Sequence, residues 1–140
     1  MTRERVGSNS PSSMARWIWI GLGGGFGTLV RYAISLWAPR AFGATFPGGT
    51  LVVNVVGSFL IGTIMHVGLT TTMISPTTRL ALTTGVMGGL TTYSTYNYET
   101  IRLVQQGTWG IAALNVALSF FGCLLAGFAG LALGRAISGG

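Results

Sequence analysis

The segment Tyr93–Glu99, YSTYNYE, sets phenols, aliphatic hydroxyls and a carboxylate side by side. Tyr93 and Tyr96 stand three apart and share one face of a helix. Ser94, Thr95 and Tyr98 add further hydroxyls, and Glu99 follows one turn after Thr95. A phenol O–H donates, and the edge of an aromatic ring is the positive part of its quadrupole. Such a stripe suits an anion. Packing is the ordinary account of aromatic pairs at this spacing, and tyrosines near a span end also form an interfacial belt. Glu99 is one of only two acids in the chain. An acid inside a membrane segment is by default a functional feature, although a carboxylate repels anions unless it is protonated or paired. It therefore opens a second class of function, a proton-coupled exporter with Glu99 as proton carrier.

Other segments add polar groups. Asn54 lies in LVVNVVGSF, where its amide supplies two donor hydrogens. Asn115, Ser119 and Cys123 recur every four residues and make one weakly polar stripe. Arg31, in GTLVRY, stands near the end of an apolar run and attracts anions by charge. Three apolar runs thus each offer a polar face composed mostly of donors. In TTGVMGGLTTYST, Gly85, Gly88 and Gly89 precede Thr91 and Thr92. Adjacent glycines are poor helix formers, so a break in the helix is expected at GGLT, residues 88–91, just before Tyr93. Membrane interiors tolerate a break only where it is buried in protein or lines a cavity. Carbonyls freed there, pointing inward from two antiparallel copies, would cage a hard monovalent cation; a kink made for packing alone is the simpler alternative. His66 has no metal-ligand companions and reads as structural. Cys123 is the sole cysteine, which excludes an intrachain disulfide. No nucleophile–base pair or metal-ligand set stands out, and an enzyme is not expected.

These groups need elements to hold them. The chain has 140 residues, is 49% hydrophobic and 7% charged, and carries a net charge of +6 made entirely by arginine. A soluble domain carries about 25% charged residues, so this composition belongs in a membrane. The arginines are single and flank apolar runs, which argues against nucleic-acid binding. Four spans fit, at about residues 17–38, 51–70, 80–101 and 111–133, each near the ~20 residues that cross the hydrocarbon core. Residues 1–15 read as a polar, disordered tail and 16–140 as one transmembrane domain. The apolar run after the first arginines is too long, and lacks the small-residue cleavage pattern, for a signal peptide. Met14 is a second candidate start.

Glycine occurs 23 times. Gly21 and Gly25, Gly23 and Gly27, Ser58 and Gly62, Ala126 and Gly130, and Gly130 and Gly134 are small-xxx-small pairs that let helix backbones approach closely. GLGGGFG departs from the dinucleotide pattern G-x-G-x-x-G, because Phe26 stands where the third glycine belongs. Arginines divide evenly between the two sides: Arg16, Arg79 and Arg135 against Arg31, Arg40 and Arg102, with Arg3 and Arg5 on the distal tail. The bias that orients membrane proteins is almost absent. Such a chain inserts both ways, and two opposite copies can pair about an axis in the membrane plane. An antiparallel dual-topology dimer is the expectation.

At GGGFGTLVRY, GTLVVNVVGSFLIG, GVMGGLTTYSTYNYE and NVALSFFGCLLAG, in this order, the sequence resembles the CrcB/Fluc family of bacterial fluoride channels. The likeness covers about residues 16–135. It implies an all-α membrane protein of four transmembrane helices with the third broken, an antiparallel homodimer with two pores, and passage of fluoride across the bacterial inner membrane. It also implies roles. Gly88 and Thr91 match positions whose carbonyls, from both subunits, hold a structural sodium ion. Asn54 matches the pore asparagine, and Arg31 the arginine of the first span. Ser94, Thr95, Glu99 and Ser119 match polar-track positions. Tyr93 and Tyr96 match two phenylalanines whose ring edges line the fluoride path, and here the chain departs from the family by adding a hydroxyl to each ring. Cys123 stands where a serine would complete the polar stripe. Fluoride holds its water strongly, so a pore must replace that shell with many donors yet bind weakly enough to release the ion. A helix-packing subunit without transport remains the plainest third reading of the small-residue pairs.

Overall fold

The computed structural model describes residues 13–140, all in helices and short connections, with no strand among them. Three helices are long: α1 (Ser13–Phe42), α2 (Gly48–Thr70) and α6 (Trp109–Ser138). Between α2 and α6 the chain is segmented: α3 (Pro76–Leu80), a π-helical stretch (Ala81–Met87), α4 (Gly88–Leu90) and α5 (Tyr93–Gln105). Most of the expected tail lies outside the described residues, and Ser13–Ala15 are already helical.

Local chemistry explains the ends. The Ser75 hydroxyl accepts from Thr78 N at 3.1 Å with Pro76 at the first helical position, the usual start of a helix. Arg79 donates to the Gly68 carbonyl and so satisfies an acceptor in the last turn of α2. At the far end of α6, Gly139 is left-handed, with φ 89°, and closes the helix.

α2 and α6 are each long and apolar enough to cross a membrane, with mean hydropathy of 1.8 and 2.2. α1 is longer but carries Arg16, Arg31 and Arg40. The exterior is apolar. Trp17, Leu22, Phe26 and Leu29 on α1, and Phe121, Leu125 and Phe128 on α6, are each at least 60% exposed. Patches of that extent face lipid or another protein. The core is correspondingly small, with Val53, Met87 and Leu90 at its centre and Val30, Ile34, Leu60 and Val86 around it.

Backbone contact replaces a large core. A Cβ on Gly62 would lie 2.6 Å from the Gly127 carbonyl, and one on Gly130 would run into the Phe59 carbonyl, so α2 and α6 meet along their glycines. Thr63 adds a hydrogen bond across this seam, donating to Gly130 O at 2.9 Å. α1 packs in the same way on the segmented region: a Cβ on Gly23 would lie 2.8 Å from Ala81 O, one on Gly27 would run into Val86 O, and one on Gly89 into Gly24 O. The pairs Gly23/Gly27 and Gly130/Gly134 therefore act as expected. At Gly21 and Gly25 nothing among the described residues lies within 4 Å of a Cβ. They lie on another face of α1.

The interruption falls at the end of the expected GGLT segment. Gly88 is helical, with φ −61° and ψ −37°, and the helix runs on through Leu90. The residues that leave helical geometry are Thr91 (φ −83°, ψ 156°) and Thr92 (φ −155°, ψ 116°). Gly89 is needed because the α1 backbone comes against it.

Candidate functional site

The extended pair Thr91–Thr92 organises the polar residues. Leaving the helix strands the backbone groups of Thr92, which is buried, and an unpaired buried peptide is costly. Asn54 on α2 meets both of its groups. Its Oδ1 accepts from Thr92 N at 2.8 Å, and its Nδ2 donates to Thr92 O at 3.0 Å. The Thr92 side chain then starts α5, its Oγ1 accepting from Thr95 N at 3.2 Å and donating to Thr95 Oγ1 at 3.0 Å.

This pattern has a consequence for Gly88 and Thr91. In a continuous helix the Gly88 carbonyl would accept from Thr92 N and the Thr91 carbonyl from Thr95 N. Those two N–H groups are engaged by Asn54 and by Thr92 Oγ1 instead. Neutral carbonyls relieved of their helical donors are the hard oxygen ligands that an alkali cation takes. Among the described residues no group of three His, Cys, Asp or Glu could hold a metal ion.

Two concavities flank the break. A groove of about 710 Å³ is lined by Asn54, Gly88, Thr91, Tyr93, Tyr96, Ser119 and Cys123, together with apolar neighbours. On the other side, a cavity of about 270 Å³ is lined by Arg31, Thr50, Thr95 and Glu99. Nine of the ten residues singled out from sequence therefore line one concavity or the other, divided between them. Ser94 is the exception: it lines neither, is exposed, and sets its Oγ 3.3 Å from Thr92 Oγ1. The Tyr93 and Tyr96 rings are tilted at 48° with centroids 5.4 Å apart, the i, i+3 pair expected on α5. Tyr93 is 79% exposed, whereas Tyr96 is half-buried.

Two polar atoms are left over. Ser119 Oγ and Glu99 Oε2 are buried and have no hydrogen-bond partner among the described residues. Native proteins pair nearly all such atoms, so each exception asks for an explanation. Ser119 lies in the groove and Glu99 in the cavity.

Three residues were missed as site components. Thr92 was visible as a helix-starting Thr followed three residues later by Thr95, an N-cap signal outweighed by the neighbouring glycines. Thr50 lies beside Glu99, and nothing local in GGT announces it. Asn115, seen only as part of a stripe, is 1% exposed and donates to Thr100 Oγ1 at 3.0 Å, which in turn donates to Tyr96 O at 2.8 Å. It ties α6 to the tyrosine-bearing helix.

Residues 18–131 match the family described as CrcB-like protein, Camphor Resistance (CrcB). The chain is 54% identical over 127 residues to the fluoride-specific ion channel FluC of Sorangium cellulosum (strain So ce56), covering 91% of this chain and 100% of that protein. A protein of the same name from Anaeromyxobacter sp. (strain K) is 50% identical over 126 residues, 90% of this chain and 100% of its own length. Another, from Geotalea daltonii (strain DSM 22248 / JCM 15807 / FRC-32), is 47% identical over 120 residues, 86% and 97% respectively.

Proposed function

This chain belongs to the CrcB family, and on that premise we propose that it is a passive, fluoride-selective ion channel rather than an enzyme. It sits in the bacterial inner membrane as a multi-pass protein of four spans, the third interrupted at Thr91–Thr92. Two copies pair in opposite orientations within the lipid, as a homodimer with two pores. The near-equal division of arginines between the two sides supports that pairing.

The observation that carries the reading is the buried hydroxyl of Ser119, without a partner among the described residues, set in a largely apolar groove beside Asn54, Tyr93 and Tyr96. A hydroxyl, an amide and ring edges along one surface replace part of fluoride's water without gripping the ion too tightly to release it. In this reading Asn54, Tyr93, Tyr96 and Ser119 meet the ion in the groove. Ser94 and Thr95 supply hydroxyls at the start of α5, Arg31 attracts the anion, and Glu99 forms the polar wall of the cavity. The carbonyls of Gly88 and Thr91, with those of the second copy, are the residues that would hold a sodium ion. Bound there, the ion would neutralise converging carbonyl dipoles and tie the two copies together.

The test is fluoride-electrode efflux from liposomes containing the full chain, with valinomycin to carry the counter-charge and chloride as competitor. Rapid fluoride efflux without a proton gradient, with chloride retained, is the expected result. Efflux that strictly requires a proton gradient would replace the channel with the exporter based on Glu99. No efflux at all would leave a packing subunit.

A further inference from the structure

The cavity with Arg31 and Glu99 and the groove with Asn54, Tyr96 and Ser119 can serve one ion only if they meet. Among the described residues, Thr92 alone lines both. It is 7% exposed, and its peptide is held on both sides by Asn54. The backbone at this point cannot swing aside without losing two hydrogen bonds, so Thr92 is a fixed partition.

Its hydroxyl is less constrained than its backbone. The oxygen stays satisfied by Thr95 N. The single proton can be shared with Thr95 Oγ1 at 3.0 Å or Ser94 Oγ at 3.3 Å. Both neighbours are hydroxyls, each able to donate in its own right. Rotation about the Cβ–Oγ bond therefore frees the proton for a guest on either side while the cap on α5 remains. Neither neighbour has this position: Thr95 lines the cavity alone, and Ser94 lines neither space.

We propose that Thr92 is the crossing point between cavity and groove, its hydroxyl donating to the anion in transit, and hence a selectivity-determining residue. This rests on the fluoride-channel reading above.

The experiment compares the full chain with Thr92→Val, Thr92→Ser and Thr92→Asp in the same liposome assay, with thermal unfolding and size-exclusion chromatography as checks of folding. None of these changes removes the backbone bonds to Asn54. Thr92→Val keeps the shape without the hydroxyl. It should slow fluoride efflux roughly 10- to 100-fold, the scale of one hydrogen bond to a charged group, and lower the preference for fluoride over chloride. Thr92→Ser restores the hydroxyl and should restore both rate and preference, which a loss of packing alone would not allow. If the valine variant does not fold, Thr92→Asp keeps a side-chain cap for α5 but sets a carboxylate at the crossing, and should abolish efflux. A folded valine or aspartate variant that conducts fluoride at the parental rate and selectivity overturns the assignment. A parental chain that passes no fluoride overturns the channel reading instead, so the two failures are distinct.

Discussion

Removing the Asn54 side chain tests the idea that the interruption at Thr91–Thr92 is held from α2 rather than by its own residues. In Asn54→Ala, the Thr92 N–H and C=O lose partners now at 2.8 and 3.0 Å. Thr92 is buried, so water does not readily replace them. Each stranded group costs about 1–3 kcal/mol, which puts the total at roughly 2–6 kcal/mol before any relaxation. Asn54→Asp separates the two bonds. It retains an acceptor for Thr92 N but sets a carboxylate oxygen against the Thr92 carbonyl, so the donor is lost and a buried charge faces an acceptor. Both variants should lie below the parent in thermal unfolding in detergent. Efflux of fluoride should fall in both, because Thr92 and the groove-lining face of α5 are positioned through this amide. If Asn54→Ala unfolds at the parental temperature and conducts at the parental rate, the break is held by something else and the argument for Asn54 fails.

Other outcomes follow from the same geometry. Gly130→Ala drives a methyl into the Phe59 carbonyl, a backbone atom that cannot rotate away, and should destabilise the protein by about 1–3 kcal/mol in thermal unfolding. Gly21→Ala meets nothing within 4 Å and gains helix propensity of at most about 1 kcal/mol, so its unfolding temperature should hold or rise. Ser119→Ala removes a hydroxyl that makes no hydrogen bond among the described residues; stability should be unchanged while fluoride efflux drops, and a variant with unaltered efflux would place Ser119 outside the path. Tyr96→Phe keeps the ring edge and loses the hydroxyl, so liposome efflux should persist within roughly threefold to tenfold of the parent, the worth of one ordinary hydrogen bond.

The sequence alone determined the class of solvent and the kind of contact. A chain with 7% charged residues and 23 glycines has to place apolar side chains outward and let helix backbones touch. Gly23, Gly27, Gly62 and Gly130 do so. Spacing alone could not distinguish Gly23 and Gly27 from Gly21 and Gly25. All four sit on one helix at the same interval, and only the arrival of the π-helical segment against one face separates them. The polar residues were legible as types, because hydroxyls, an amide and a carboxylate stand out in apolar runs. Their division between a cavity and a groove was not legible, since it depends on which side of Thr92 each one reaches.

The helix break was legible in its place but not in its cause. GGLT marked it, and the chain leaves helical geometry at the last residue of that segment, Thr91, and at Thr92. The reason is non-local: Asn54, 38 positions earlier, supplies both a donor and an acceptor to one peptide unit. Local propensity can weaken a helix, but a buried peptide leaves the ladder only where another element satisfies it. Only the tertiary structure brings α2 to that point.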